Sequence, residues 1–241
     1  MPERDSLRER RPPDTSAPAA RVTIRLSNPG PLVSRLAHAL EARGHAVVDT
    51  PAGGACTWMI GPGEEPSTAE LAAESRTGLG DRILVLGWIG VHPDARSTVL
   101  RQTWLLEERC RASGLETLAL RLGPLVGVMS PLWRMLGHAP LPRRLASKLV
   151  HPVTEADVIE AVHRALTGAA TWLGWHELGG PDVLSLGELA ELARAAGPER
   201  GGAWEPDRMA LAEQRLIEPE LWARWAGITP RSVIESGAWA A

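Results

Sequence analysis

The 241-residue chain has no tyrosine, no phenylalanine and a single lysine, Lys148. Without a tyrosine, every mechanism that uses a phenol hydroxyl as its acid or base is excluded for this chain. Ten tryptophans are the only aromatic side chains apart from histidine. We find no physical reason in the sequence for the complete loss of phenylalanine and tyrosine.

Cysteine, long apolar runs and excess charge are also scarce. The two cysteines, Cys56 and Cys110, lie far apart, which argues against a disulfide framework and favours a cytoplasmic protein. No apolar run reaches about 18 residues, so we expect no membrane-spanning helix. A formal net charge of -3 gives no electrostatic basis for binding nucleic acid. We therefore expect a small molecule or a protein as the partner.

The hydrophobic pattern divides the chain into segments of different character. Residues 1–20 are polar, proline-rich and aperiodic, which predicts a disordered tail, or a basic arm for a partner, without a secretory signal. Residues 21–127 alternate strands with helices, which predicts right-handed βαβ units and an α/β, Rossmann-type doubly wound parallel sheet. Residues 128–241 are predicted to be mostly helical and to complete the core.

Residues 21–50 carry the clearest pattern of strand, turn, helix and strand. Val22, Ile24 and Leu26 alternate with polar residues, and the turn residues 27–31 follow them. A helix is predicted from 32 onwards, ended by Gly44, with a strand at 45–50. Further strands are predicted at 56–60, 83–86, 117–120 and 175–178, with a loop at 87–95 and a break at 121–124. Further helices are predicted at 64–76, 97–113, 154–166, 185–196 and 209–225, the last interrupted near Pro219.

Several motifs occur in one order along residues 21–197. They are the turn at 27–33; Ile89-Gly90-Val91-His92-Pro93; Glu107 with the segments 112–115 and 118–127; the segment 151–158; and the segment 178–186. In this order they resemble atypical short-chain dehydrogenases/reductases, with the NmrA-like proteins and the nucleotide-binding accessory subunit of respiratory complex I as the nearest subgroups. The resemblance implies a Rossmann core, and a small substrate-side lobe that residues after 125 build over the carboxyl edge of the sheet.

The resemblance also implies an NAD(P) site at the first turn. Glycines in such a turn tighten it, let the backbone approach the pyrophosphate and let the helix pack on the strand. Ser27, Gly30 and Val33 stand at these positions, so one glycine remains, although the helix N-terminus still offers N–H groups to a phosphate. We therefore expect NAD or NADP to bind weakly or not at all.

Asp49 ends the second strand, where an acid of this family would hold the adenosine ribose and favour NAD over NADP. A simple turn-forming role is the alternative for this residue. The segment between Thr50 and Cys56 is short, so the strand and helix that wall the adenine in the family are missing or reduced. The predicted cofactor-binding residues are Ser27, Asn28, Gly30, Pro31, Leu32, Asp49, Gly61, Gly87, Trp88 and Arg121.

The catalytic set of the family is a serine after the apolar strand and a Tyr-x-x-x-Lys on the next helix. The serine position falls on Gly87 or Trp88, and the other two positions fall near Val99 and Thr103. None of these side chains can exchange a proton with a substrate in the way the tyrosine does. The sequence therefore favours a regulatory, accessory or pseudoenzyme role.

His92 is the one candidate for acid–base catalysis, because it follows an apolar strand and an imidazole titrates near neutral pH. With Trp133, Arg134 and His138 it forms the predicted substrate pocket. The alternative is that His92 only shapes its loop and that the tryptophans only pack. If these residues do act on a substrate, the protein is an NAD(P)-dependent oxidoreductase or a non-redox biosynthetic enzyme with a non-standard pocket.

Metal and hydrolase chemistry have little support in the sequence. His151 and His163 have no cysteine or carboxylate partners at zinc-ligand spacing, so no metal site is expected. The chain has no Gly-x-Ser-x-Gly motif, and an α/β-hydrolase would therefore lack its nucleophile.

Overall fold

The structure is a computed structural model that describes residues 21–26, 30–48, 56–62, 82–127, 140–196 and 208–237. Helices and strands are numbered in chain order over these residues. The predicted tail at 1–20 and the predicted helix at 64–76 lie outside them. Within the described part of the chain, no helix combines the length and the apolar character that crossing a membrane requires.

The elements alternate through the first half of the chain, as the sequence predicts. The strands are β1 (Thr23–Leu26), β2 (Ala46–Val48), β3 (Thr57–Ile60), β4 (Arg82–Trp88), β5 (Glu116–Leu122), β6 (Leu125–Val126), β7 (Leu149–Val150), β8 (Val153–Thr154), β9 (Gly174–Leu178) and β10 (Leu184–Ser185). The helices are α1 (Pro31–Glu41), α2 (Thr98–Ala112), α3 (Arg143–Ala146), α4 (Glu155–Leu166), α5 (Leu186–Ala195), α6 (Arg208–Glu213), α7 (Pro219–Ala226) and α8 (Val233–Ser236).

One parallel sheet contains six of these strands, in the order β2-β1-β3-β4-β5-β9. The chain runs from β1 outward to β2 and then crosses back past β1 to β3, so the direction of winding reverses between β1 and β3. This arrangement confirms the predicted Rossmann-type doubly wound sheet. Eight residues, 49–56, separate β2 from β3 along the chain, and all but Cys56 lie outside the described part.

Helices cover both faces of the sheet. Leu84 and Leu86 of β4 pack in a core cluster with α1 and α4. Ile83 and Val85 of the same strand point to the opposite face and pack against α2. The apolar run in β4 is therefore explained by burial on both sides, as expected for a central parallel strand.

Side-chain caps begin three helices at the predicted places. Ser97 accepts a hydrogen bond from the backbone N–H of Leu100 at the start of α2. Thr154 caps α4 in the same way, and Ser185 forms a reciprocal capping box with Glu188 at the start of α5. These local signals are readable from sequence because each cap satisfies a backbone donor within its own helix.

The two central strands are longer than predicted. Gly87 and Trp88 belong to β4 rather than to a loop, and Arg121 and Leu122 belong to β5 rather than to a break. Gly87 pairs with Arg121, and Trp88 pairs with Leu122. This pairing keeps both segments in the sheet and outweighs the local preference of glycine for turns.

The predicted last helix is two helices, α6 and α7, separated by residues 214–218. Pro219 does not interrupt a helix but begins α7, because a proline at the first helical position loses no intrahelical hydrogen bond. The short helix α8 was not predicted.

Candidate functional site

The crevice at the carboxyl ends of β1, β3 and β4 is the candidate site. Ligands of doubly wound sheets bind outside the carboxyl ends of the strands where the winding reverses, which here is between β1 and β3. Neighbouring strands lie about 4.8 Å apart, so the ends of β1 and β4 are separated by roughly 10 Å. The carboxyl ends of β1 and β4 therefore lie at opposite ends of the crevice.

Gly30 is the N-cap of α1, at the β1 end of the crevice. Its φ of -64° and ψ of 169° are open to any residue, and an added Cβ would meet no heavy atom of the described residues within 4 Å. Pro31 follows at the first helical position, and the first turn contains no acidic residue. Neither backbone strain nor packing within the described part of the chain requires a glycine here, and none of the described residues obstructs the approach of another group to the helix N-terminus.

The other positions of the glycine pattern differ in what they can do. Val33 is fully buried in the core beneath α1, so its bulk is accommodated by packing rather than projecting into the crevice. Leu32 is also buried in this core, and its side chain is not available to a ligand. Ser27, Asn28 and Asp49 lie outside the described residues.

Gly87 and Thr103, two positions of the catalytic set, lie next to each other. An added Cβ at Gly87 would lie 2.8 Å from Cγ2 of Thr103 on α2. The hydroxyl of Thr103 donates to the carbonyl of Val99, one helical turn earlier, at 2.9 Å. The Thr103 methyl therefore occupies the space in which a serine side chain at position 87 would stand.

Arg121, predicted to bind the cofactor, forms a buried ion pair with Glu107 of α2. Its Nε lies 3.1 Å from Oε1 of Glu107, and one of its terminal nitrogens lies 2.6 Å from Oε2. The two side chains are 8% and 1% exposed, and the Trp175 ring centroid lies 4.6 Å from the guanidinium carbon. These contacts account for the burial of Arg121 without a ligand.

The Glu107 carboxylate also affects the pKa of a nearby thiol, that of Cys110. Burial, followed by the Glu107 carboxylate, raises the pKa of Cys110 to about 12. A thiol with so high a pKa is not a nucleophile near neutral pH, so Cys110 is a packing residue beneath α2.

His92 lies at the surface of the loop between β4 and α2. Its side chain is 64% exposed, and its Nδ1 accepts a hydrogen bond from the backbone N–H of Asp94 at 3.1 Å. These contacts are within its own loop. Gly61 directly follows β3 at the crevice and is buried. Trp88 is the last residue of β4 and is half-buried between two core clusters. The remaining predicted pocket residues, Trp133, Arg134 and His138, lie outside the described part of the chain.

Two residues that sequence reasoning missed fix the end of α6 onto this loop. The Glu213 carboxylate accepts from the backbone N–H of Ser97 at 2.8 Å. The Gln214 amide donates from Nε2 to the carbonyl of Ile89 at 3.0 Å. Gly90, with φ +102°, allows close approach, because an added Cβ would lie 2.9 Å from the Glu213 carbonyl oxygen. The contacts join residues 116 and 125 positions apart, so no local pattern could have revealed them.

His151 is fixed beyond the carboxyl ends of β5 and β9. Its Nδ1 lies 2.9 Å from the carbonyl oxygen of Gly180, so Nδ1 carries a proton and donates it to that oxygen. Gly123 and Gly179 pack against it so closely that added Cβ atoms would lie 2.2 Å from its carbonyl oxygen and 2.7 Å from its Cβ. Across the described residues, no group of three potential metal ligands comes together.

Solved structures of proteins with bound NAD or UDP-glucose share this architecture. MoeE5 in complex with UDP-glucose and NAD is 15% identical to this chain, with a TM-score of 0.63 over 90% of this chain and 96% of its own. The Bordetella bronchiseptica enzyme WbmH in complex with NAD+ is 17% identical, with a TM-score of 0.62 over 92% and 97% of the two chains. UDP-glucose 4-epimerase from Thermotoga maritima with UDP-glucose is 13% identical, with a TM-score of 0.57 over 91% and 97%.

At these identities the likeness establishes the fold alone. No protein-family model matches the chain, and no curated protein matches it. The chain therefore has the Rossmann fold of NAD-bound enzymes, and its activity has to be argued from its own residues.

Proposed function

We propose that this chain is an NAD(P)-binding protein of the atypical short-chain dehydrogenase/reductase type that lacks the standard catalytic set and has a regulatory, accessory or pseudoenzyme role. The observation that carries the proposal is that the Thr103 methyl lies where a side chain at position 87 would stand, while at Gly30 no described residue obstructs the N-terminus of α1. The NmrA-like or complex I accessory-subunit subgroup is part of this proposal and rests on the order of the motifs.

Dinucleotide binding is supported by the β1 end of the crevice. The N-terminus of α1 presents backbone N–H groups and the positive end of the helix dipole, both of which favour a phosphate. Gly30 adds no side chain to this surface. NAD in the solved structures with this fold agrees with such a ligand.

The loss of standard hydride chemistry is supported by the β4 end. The chain has no tyrosine, and its lysine, Lys148, adjoins the small β7–β10 pair rather than α2. A serine at position 87 would meet the Thr103 methyl. The usual proton relay therefore lacks its tyrosine and lysine, and the place of its serine side chain is taken by the Thr103 methyl.

An NAD(P)-dependent enzyme that acts on a nucleotide sugar is the second candidate. It is favoured by the likeness to MoeE5 and to UDP-glucose 4-epimerase. His151 would be a better-oriented base than His92, because its Nδ1 is bonded to the Gly180 carbonyl and Nε2 is left as the acceptor.

Titration of tryptophan fluorescence with NADH and NADPH tests the proposal. We expect quenching and energy transfer from the wild-type chain, and loss of both in Gly30→Leu, whose side chain would occupy the approach to α1. His38→Leu is the matched control, because it places the same residue on the same helix at a side chain that is 88% exposed. No response to millimolar cofactor would contradict the proposal, and turnover of UDP-glucose with NAD+ would favour the second candidate.

A further inference from the structure

The outer face of the small β7–β10 pair is apolar and basic. Val150 and Leu184 pack in a core cluster, whereas their neighbours Leu149 and Val183 are each 47% exposed, because alternate residues of a strand face opposite sides. Residues 140–150 also carry three cations and no acidic residue. None of these cations forms an ion pair within the described part of the chain. This basic surface consists of Arg143, Arg144, Lys148, Leu149 and Val183.

An acidic surface lies at the start of α7. Leu216 and Leu221 are 50% and 53% exposed there, and Glu218 and Glu220 are exposed between them. Glu218 is the N-cap of α7, yet its carboxylate makes no capping hydrogen bond. Arg224 donates to the backbone carbonyl of Glu220 rather than to its carboxylate. Among the described residues, neither carboxylate has an ion-pair partner. This acidic surface consists of Leu216, Glu218, Glu220 and Leu221.

The two surfaces flank one junction in the fold. His151 directly follows β7, and an added Cβ at Gly179 would lie 2.7 Å from Cβ of His151. The same added Cβ would lie 2.9 Å from Cδ1 of Ile217, and Nε1 of Trp222 donates to the Gly179 carbonyl at 2.8 Å. Each surface has a member within two residues of this junction, about 8 Å of chain, so the two surfaces are neighbours.

We propose that the basic surface of one copy of this chain binds the acidic surface of a second copy, in a two-fold dimer. Because the two surfaces are neighbours of opposite charge, one two-fold rotation brings each of them against its complement and forms two equivalent contacts. The exposed leucines and the valine leave water in these contacts. The inference goes beyond the proposed function and does not depend on dinucleotide binding.

The association of the wild-type chain tests the inference without a variant. Sedimentation velocity at about 0.1 M salt, from low micromolar to submillimolar protein, should show a monomer that converts to a dimer. The dissociation constant should rise at least about tenfold at about 1 M salt, where the Debye length falls from about 10 Å to about 3 Å. A chain that stays monomeric, or a dimer that salt does not weaken, would overturn the inference.

Charge reversal of each surface locates the contact. Arg143→Glu with Arg144→Glu makes both surfaces acidic, and Glu218→Arg with Glu220→Arg makes both basic. Each double variant should weaken the dimer at least about tenfold, because like charges then face each other. An equimolar mixture of the two double variants should restore the dimer, since every acidic surface then meets a basic one.

Arg96→Glu with Arg194→Glu is the matched control, because it makes the same change of charge at two exposed arginines outside both surfaces. It should dimerise like the wild-type chain. A dimer that survives both reversals would overturn the inference, and so would loss of the dimer in both double variants without recovery in their mixture. Circular dichroism checks that each variant is folded, and the salt dependence of the wild-type chain decides the matter if one is not.

Discussion

The two faces of the sheet hold their helices through different polar contacts. On one face, the buried ion pair of Glu107 and Arg121 joins α2 to β5. On the other face, His45, in the turn after α1, meets His163 of α4 with their ring nitrogens 2.9 Å apart. The first contact joins opposite charges, whereas the second is a hydrogen bond between two rings that needs one of the two nitrogens unprotonated.

The comparison shows how charge affects each face. Docking of α2 requires that its buried charges remain compensated, because an unpaired ion in the core is costly. Docking of α1 on α4 requires that the two imidazoles are not both charged, because two cationic rings at this distance repel each other. Variants that remove one partner of a polar contact should therefore lower the free energy of unfolding most on the α2 face. A fall in pH should lower it mainly through the α1–α4 face.

Removal of Glu107 should have the largest effect. In Glu107→Leu the Arg121 guanidinium stays buried without its carboxylate, and we expect the free energy of unfolding to fall by about 3–5 kcal/mol. Urea denaturation measures this loss. Glu116→Gln is the matched control, because it breaks the exposed pair with Arg82, 3.0 Å long, on the same sheet and should cost less than about 1 kcal/mol.

The double variant Glu107→Leu with Arg121→Met should recover much of the lost stability, because it removes the uncompensated charge as well. A loss in Glu107→Leu no larger than that in the control would show that the pair does not hold α2. The difference between the faces would then have to come from apolar packing alone.

A serine at position 87 should have a smaller effect on the same face. Its side chain would meet Cγ2 of Thr103, where an added Cβ already lies at 2.8 Å, and overpacking of this kind costs about 1–3 kcal/mol. Combining Gly87→Ser with Thr103→Ala should restore part of the stability by removing that methyl group. Thermal unfolding of both variants and of Thr103→Ala alone measures the coupling, and additive effects would contradict the contact.

Local signals account for what could be predicted of the fold. The alternation of Ile24 and Leu26 with polar residues, and the pairing of Ser185 with Glu188, each operate within one element, so strands and capped helices could be predicted from sequence. The sequence predicts a loop at Gly87 because the conformational preference of glycine is local, whereas the pairing of Gly87 with Arg121 across the sheet is not.

The candidate site could be predicted only in outline. The start of α1 could be predicted because its pattern lies in consecutive residues, and Gly30 does stand at the N-terminus of that helix. The contacts of Gln214 with Ile89 and of His45 with His163 join residues 125 and 118 positions apart. Such pairs depend on how the chain is folded in three dimensions, and a single sequence carries no local trace of them.

The imidazole pair makes the α1–α4 face sensitive to acid. Burial, then His163 and Arg43, lower the pKa of His45 below its usual 6.5, and burial with Arg43 and Arg164 lowers the pKa of His163 against the opposing effect of Glu160. Glu160 also accepts a hydrogen bond from Arg43 at 2.6 Å. Within the described residues, the charged and titratable groups of this cluster are His45, His163, Arg43, Arg164 and Glu160. Each of the two histidines has a lower pKa in the folded chain than in the unfolded chain. Between its folded and its unfolded pKa, each histidine therefore binds more protons in the unfolded chain. The contribution to stability is therefore complete above pH 6.5 and is lost as the pH falls below it.

His163→Gln tests this smallest of the expected effects, because glutamine can still hydrogen-bond to His45 but does not titrate. Between pH 7.5 and 5.5 the free energy of unfolding of the wild-type chain should fall more than that of the variant, by less than about 1 kcal/mol, since solvent screens rings that are only partly buried. His38→Gln, at an exposed imidazole of α1, should follow the wild-type curve. Parallel curves for wild type and His163→Gln would show that the pair takes up no proton in this range, and the α1–α4 face would then be no more sensitive to acid than the α2 face.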